Sequence, residues 1–205
     1  MVDDQGLNAL TMRALAQQLD VSTMALYNHV RDKEELVDLM VDLMLGEVDC
    51  SPTEGHWQDQ LRSLIRSYHQ ALSSHRGLAR VYSFRVRIGP HGLMVMERTL
   101  QLLTDAGFAR AAAADAFFTL FTYTVGYHQM GRVEPLDAQS PDGESGYYLA
   151  LPPEEIPTVT RLAQHLGGAH QAGRFERGLD TLLAGLEAIR HRADPRSVPQ
   201  TQQTG

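Results

Sequence analysis

With 205 residues, 43% of them apolar, the chain is long enough to bury one or two cores and is neither disordered nor fibrous. No apolar run approaches the ~18–20 residues of a membrane span. The acidic start MVDDQ is no signal peptide, and the lone Cys50 cannot form an internal disulfide, which suits a reducing cytoplasm. The net charge of −7 is unevenly spread: residues 1–49 hold ten acidic side chains against three basic ones (Arg13, Arg31, Lys33), and the remainder balances at fifteen each.

Taken in chain order, Met1–Leu10 is short and interrupted by Gly6. Thr11–Lys33 then reads as two short helices separated by a tight turn. In the first, Met12, Leu15, Ala16 and Leu19 fall at i, i+3, i+4 and i+7 and form one apolar face. Asp20-Val21 breaks the pattern, and Ser22 is placed to cap a second helix over Thr23–His29. That helix buries Leu26 and Val30 and turns Thr23, Met24, Ala25, Tyr27, Asn28 and His29 outward. This is the layout of a DNA-reading helix-turn-helix, in which the N-terminal residues of the second helix reach base edges in the major groove.

Asp32 followed by Glu35 reads as a capping box that starts a longer helix, ending near Glu47, with Leu36, Val37, Met40, Leu43 and Met44 as its inner face. The carboxylates of Asp32–Asp42 read as a solvated helix face. Ser51-Pro-Thr-Glu-Gly55 marks a domain boundary. Trp57–Ser74 is helical, with Trp57, Leu61, Leu64, Ile65, Tyr68 and Leu72 on one stripe, and His75-Arg-Gly77 ends it. Leu78–Ile88 is a short helix or irregular stretch carrying Arg80, Arg85 and Arg87, and Gly89–Gly92 is a loop. Leu93–Ala106 is helical and closed by Gly107. Arg110–Met130 is apolar almost all round, so it needs cover on every side, from a subunit interface on one face and a core or ligand cavity on the other. Gly131–Pro157, rich in proline, predicts a long mobile loop. Pro157–Leu166 and Phe175–Arg192 are helices, and Asp194–Gly205 predicts a disordered tail. No β-type alternation occurs, so the class is all-α: a helix-turn-helix unit with its connecting helix over 1–49, a helical ligand-binding and dimerisation domain over 55–192, and a tail over 193–205.

The stretch ALTMRALAQQLDVSTMALYNHVRDKEELVDLM closely resembles the DNA-binding domain of the tetracycline repressor (TetR) family. More weakly, GHWQDQLRSLIRSYHQALSSHR, the TDAGF turn and FERGLDTLLAGLEAI are similar to the C-terminal domain of its tetracycline-repressor type. The resemblance implies a homodimer built from the helices near 110–130 and 175–192, a ligand cavity in each C-terminal domain, and double-stranded operator DNA as partner. In that family a further helix precedes the helix-turn-helix, and MVDDQGLNAL looks like its last turn and loop. The expectation is that the biological start lies upstream of Met1, the alternative being loss of part of the DNA-binding unit.

By the family pattern, Thr11 and Arg13 contact phosphate, Thr23, Met24, Ala25 and Asn28 read bases, and Tyr27, His29 and Lys33 grip the backbone. Asp20 stands where the turn often has glycine, a position aspartate tolerates better than most residues. The acidic front works against phosphate binding, in part offset if the carboxylates after Asp32 face away from DNA. For the ligand, the positions of the family's histidine, asparagine and phenylalanine are held here by Asp49, Leu64 and Tyr68, and the magnesium-holding histidine is replaced around Tyr82. The implied inducer is therefore a largely apolar or aromatic small molecule other than tetracycline–magnesium, with Leu64, Tyr68, Tyr82, Met96, Phe117, Phe121 and Thr122 as pocket residues. Neither His69 and His75 nor His165 and His170 have the i, i+4 spacing of a helical zinc pair. With no nucleophile–base pair, phosphate loop or paired-carboxylate motif either, no metal, cofactor or enzymatic activity is expected. Three readings stand beside each other: a ligand-released repressor, which is favoured, a helical ligand-binding dimer that has lost DNA binding, and an α-helical enzyme, for which no motif speaks.

Overall fold

The computed structural model describes residues 2–82, 88–130, 143–166 and 173–192, and every regular element among them is helical. The chain divides into two compact units, Met1–Val125 with Leu182–Gly205, and Gly126–Thr181. The expected tail over 193–205 and the first part of the proline-rich loop, 131–142, lie outside the described residues, as do Arg85 and Arg87.

In the first unit, α1 (Val2–Gln5) and a 3-10 turn (Leu7–Ala9) lead into α2 (Met12–Gln18) and α3 (Thr23–Tyr27). Thr11 Oγ1 accepts from the amide of Ala14 and Ser22 Oγ from that of Ala25, so each short helix has a side-chain cap on an otherwise orphan amide. Asp20 between them has φ 53°, the one positive value outside glycine among the described residues. A short polar side chain is what makes that left-handed turn tolerable. Met12, Ala16 and Val30 are buried as expected. Leu19 is not: α2 stops at Gln18, and Leu19, in the turn, is 56% exposed.

The connecting helix α4 (Lys33–Leu45) starts on Asp32, whose Oδ1 accepts from Glu35 N. Glu35 returns the bond one residue further back than a capping box would, to the amide of Arg31 at 2.6 Å. The buried face is Val37, Val41, Met44 and Leu45. Leu43, expected inside, is 66% exposed, while Asp42, expected in solvent, is 8% exposed. The helix packs on both α6 (Arg76–Tyr82) and α7 (Pro90–Asp105), which turns its inner stripe toward the 41–45 side.

Helix α5 (Trp57–Ser74) buries the apolar stripe its period predicts. Only His75 separates it from α6, so His75-Gly77 is a joint rather than a stop, and α7 begins at Pro90, leaving just Gly89 of the expected loop. At the other end of α7, Gly107 (φ 93°) donates to Thr104 O and Phe108 to Leu103 O, the paired bonds of a Schellman cap. Arg190, in the last turns of α11 (Arg174–Arg192), donates to Ala106 O and lies 6.0 Å over the Trp57 ring. Helix α8 (Arg110–Met130) buries Ala113, Ala116, Phe117 and Leu120 but leaves Phe118 exposed.

In the second unit, α9 (Gly143–Leu149) occupies part of the stretch expected to be loop, because it packs against α10 (Pro157–Leu166). Arg174 donates to His165 O, and the Phe175 ring meets Tyr127 edge-on at 5.3 Å.

Candidate nucleic-acid interface and ligand cavity

On α3 and the residues after it, Met24 (71% exposed), Tyr27, Asn28 and His29 face solvent, while Thr23 and Ala25 are half-buried. Arg13 is exposed on α2, and the Thr11 hydroxyl is already committed to its cap. Lys33 is placed differently from a free phosphate contact. Its Nζ donates to Leu7 O at 3.0 Å, tying the first turn of α4 to the N-terminal segment.

Behind this head, side chains of α4 to α8 line a small apolar cavity with room for about one water. Its lining comprises Tyr68, Tyr82, Met96, Phe117 and Phe121, all expected there, together with Leu45, Ile88, Gly92 and Val95. Phe121 is the hub: Tyr68 stacks on it at 6.0 Å and 19°, Phe117 at 5.8 Å and 27°, and Tyr82 meets it edge-on at 5.7 Å. Two expected residues fall elsewhere. Thr122, one position and about 100° further round α8, is exposed and is not among the lining residues. Leu64, one turn before Tyr68, lines a separate polar pocket with Asp49, Ser51, Thr53, Gln60, Ser63, Arg98 and Leu102.

Tyr68 is 2% exposed, and the polar group its buried hydroxyl interacts with is the hydroxyl of Tyr82. Burial pushes this phenol well above its ordinary value, and the charge interaction and hydrogen bond with Tyr82 add to the shift. Burial raises Tyr82 as well.

Sequence reasoning missed the residues that attach the head to the cavity wall. Gly89, at the N-cap of α7, offers no side chain. The oxygen comes instead from Asp42 on α4, which accepts from the amides of His91 and Gly92 and from His91 Nδ1. Gly92 and Leu45, next to this junction, also line the cavity. A second junction gathers at His75. Its Nε2 lies 2.8 Å from Glu47 and its Nδ1 3.4 Å from Asp3, and Asp3 Oδ1 also accepts from Gly77 N. Partial burial alone would lower the His75 pKa, but the hydrogen bond and charge of Glu47, then those of Asp3, outweigh it and raise it. No local signal in the sequence hints at this, since the partners lie 72 and 28 residues before His75.

Comparison with known proteins agrees with this geometry. Residues 50–190 match the family model described as tetracyclin repressor-like, C-terminal domain, and residues 2–40 match that of bacterial regulatory proteins, tetR family. The tetracycline repressor class A from transposon 1721 of Escherichia coli is 30% identical over 192 residues, which cover 91% of this chain and 85% of that one. The crystal structure of apo ActR from Streptomyces coelicolor superposes with a TM-score of 0.81 at 35% identity, covering 94% of this chain and 91% of that one. The ActR complex with actinorhodin gives 0.78 at 34%, covering 92% of each. Among the described residues no helix is long and apolar enough to cross a membrane. The chain belongs to the TetR family of helix-turn-helix transcriptional regulators, a family of DNA-binding, ligand-responsive proteins rather than enzymes.

Proposed function

We propose that the protein is a homodimeric repressor released from its operator by a small molecule other than tetracycline–magnesium. Residues 1–49 form the reading head and residues 55–192 the ligand-binding and dimerisation domain. Thr11, Arg13, Tyr27, His29 and Lys33 hold phosphates, and Thr23, Met24, Ala25 and Asn28 face bases, where Asn28 suits adenine and Met24 a thymine methyl. Lys33 does so only by sharing or releasing its bond to Leu7 O. Dimerisation runs through α8 and α11, on which Phe118 and Ile189 are exposed apolar side chains. The protein acts where its operator DNA is, in the cytoplasm.

One observation carries the reading. Helix α4 begins five residues after Asn28 of the recognition segment and ends with Leu45 in the cavity wall. A ligand that displaces Leu45, Gly92 or their neighbours therefore acts on the helix that carries the head, and it shifts DNA affinity by its differential affinity for the two placements. The aromatic lining supports an aromatic inducer, and the actinorhodin-bound ActR neighbour points the same way. A second reading, a ligand-binding dimer without DNA binding, draws on the ten-to-three acidic excess of residues 1–49. Fluorescence anisotropy on DNA upstream of the protein's own gene, at two salt concentrations, separates them. The repressor reading expects affinity above that for random DNA, falling steeply with salt. Binding no tighter than to random DNA supports the second.

A further inference from the structure

We infer that His75 is a proton-operated latch: the imidazolium holds α1 against the start of α6, and the neutral ring lets it go. The device is built from three separate stretches of chain. His75 sits between α5 and α6, Asp3 lies on α1, and Glu47 comes just beyond α4. The imidazole Nε2 is 2.8 Å from Glu47 Oε1 and Nδ1 is 3.4 Å from Asp3 Oδ2. An ionised carboxylate only accepts hydrogen bonds, and a neutral imidazole carries a single N–H. Both contacts are therefore hydrogen bonds only when both ring nitrogens are protonated.

Losing one proton breaks the weaker contact. Glu47 is the closer partner, so the neutral ring keeps its proton on Nε2 and turns the Nδ1 lone pair toward Asp3 Oδ2. Two acceptors then face each other. Asp3 is the side chain that fastens α1, because its Oδ1 also accepts from Gly77 N at 2.7 Å. Here α1 packs on α6 so closely that a Cβ on Gly77 would collide with the Val2 carbonyl. The charged groups acting on the imidazole are Glu47 and Asp3. The last turn of α5 and the 3-10 turn against α6 carry no charged residue, Arg76 is exposed, and Lys33 is bound to Leu7 O. Partial burial would lower the His75 pKa, but Glu47 and then Asp3 outweigh it and raise it. The bond to Asp3 is thus complete below the ordinary imidazole value and lost as pH rises through the folded one, a range near neutrality. Because α6 ends with Tyr82 in the cavity wall, the latch joins α1 to a cavity-lining helix. Only its consequence for DNA rests on the repressor reading.

The test is amide exchange at Gly77, followed by NMR on the full chain from pH 6 to 8.5 and corrected for the intrinsic pH dependence. This amide lies in the first turn of α6, where the helix itself supplies no acceptor, so Asp3 is what protects it. The parent should show a several-fold loss of protection as pH rises. His75→Gln should remove that dependence. Asp3→Asn should abolish or reverse it, since the amide still accepts from Gly77 N while its NH2 group donates to the neutral Nδ1. A merely structural role for either residue would shift protection by the same factor at every pH. Protection in the parent that ignores pH, or a loss of the same size in either variant, would overturn the latch. On the repressor reading, a loosened α1 has to be re-ordered when the head seats on its operator. Operator affinity of the parent should then fall several-fold from pH 6.5 to 8.5, and that of Asp3→Asn should not. No operator binding at either pH would overturn the repressor reading and leave the latch to be judged by exchange. Operator binding that ignores pH while Gly77 exchange follows it would overturn the regulatory role of the latch.

Discussion

Asp42 caps a helix to which it does not belong. Its Oδ1 accepts from His91 N at 3.0 Å and Gly92 N at 3.1 Å, and its Oδ2 lies 2.8 Å from His91 Nδ1. Those two amides are the second and third of α7, the donors an N-cap side chain normally satisfies, and the carboxylate also meets the positive end of that helix. Gly89 stands at the cap position itself, where a Cβ would lie 2.3 Å from Asp42 Cγ. Glycine is therefore required for the approach of α4, and α4 supplies the oxygen that glycine lacks.

Replacing this carboxylate should both destabilise and uncouple. Asp42→Ala leaves two amides without a cap and should cost about 1–2 kcal/mol, read as a lowered midpoint in urea. Gly89→Ala should cost at least as much, because the clash is with the same carboxylate. On the repressor reading, Asp42→Ala also weakens the effect of inducer on operator affinity more than it weakens inducer binding. Parallel titrations of inducer with and without DNA measure that ratio, and an unchanged ratio would remove Asp42 from the coupling.

The His75 junction makes stability depend on pH in a definite direction. Its folded-state pKa is raised above the ordinary 6.5. The contribution is thus fully present below about pH 6.5 and lost as pH rises through the folded value. Denaturation midpoints of the parent and His75→Gln, followed from pH 6 to 9, should differ most at the acid end and converge at the alkaline end. A constant difference would mean that the imidazole acts by packing alone and that the charges of Glu47 and Asp3 contribute nothing.

The turn of the reading head can be probed at Asp20. With φ at 53°, Asp20→Gly should be neutral or slightly stabilising, and Asp20→Val should cost about 1–2 kcal/mol. Thermal unfolding of the two variants gives the comparison. Equal losses in both would indicate that the aspartate side chain, rather than the backbone angle, is what the turn needs.

For the DNA contacts, Arg13→Ala should weaken binding about equally on all sequences and reduce the slope of log K against log salt by about 0.9. Asn28→Ala should instead cost about 1–3 kcal/mol on the preferred operator and relax discrimination at one base pair. Lys33→Ala tests the competing use of that amine. If the side chain stays on Leu7 O, the salt slope will not change.

The helices were legible because their determinants are local. Apolar spacing at the helical period, Ser22 and Asp32 at starts, and Gly107 at a stop act within one or two turns of chain, so α5, α8 and α10 fall where periodicity puts them. Failures came where packing overrides period. Leu43 and Asp42 exchange their expected environments because α4 lies against α5, α6 and α7 at once, and α9 forms in a proline-rich stretch because α10 covers it. Most of the aromatic cavity could be named in advance, since large apolar side chains on buried faces converge in a small helical domain. Thr122 and Leu64 could not be placed that way, because the side of a helix that faces a cavity depends on neighbours distant in sequence. The sequence by itself thus determined the all-α class, the capped helix-turn-helix and the aromatic character of the cavity lining. Only the tertiary structure decided how head and cavity are joined, because the Asp42 cap and the Asp3–His75–Glu47 bridge link residues 28 to 72 positions apart, and no local propensity encodes which distant amide or imidazole a carboxylate will meet.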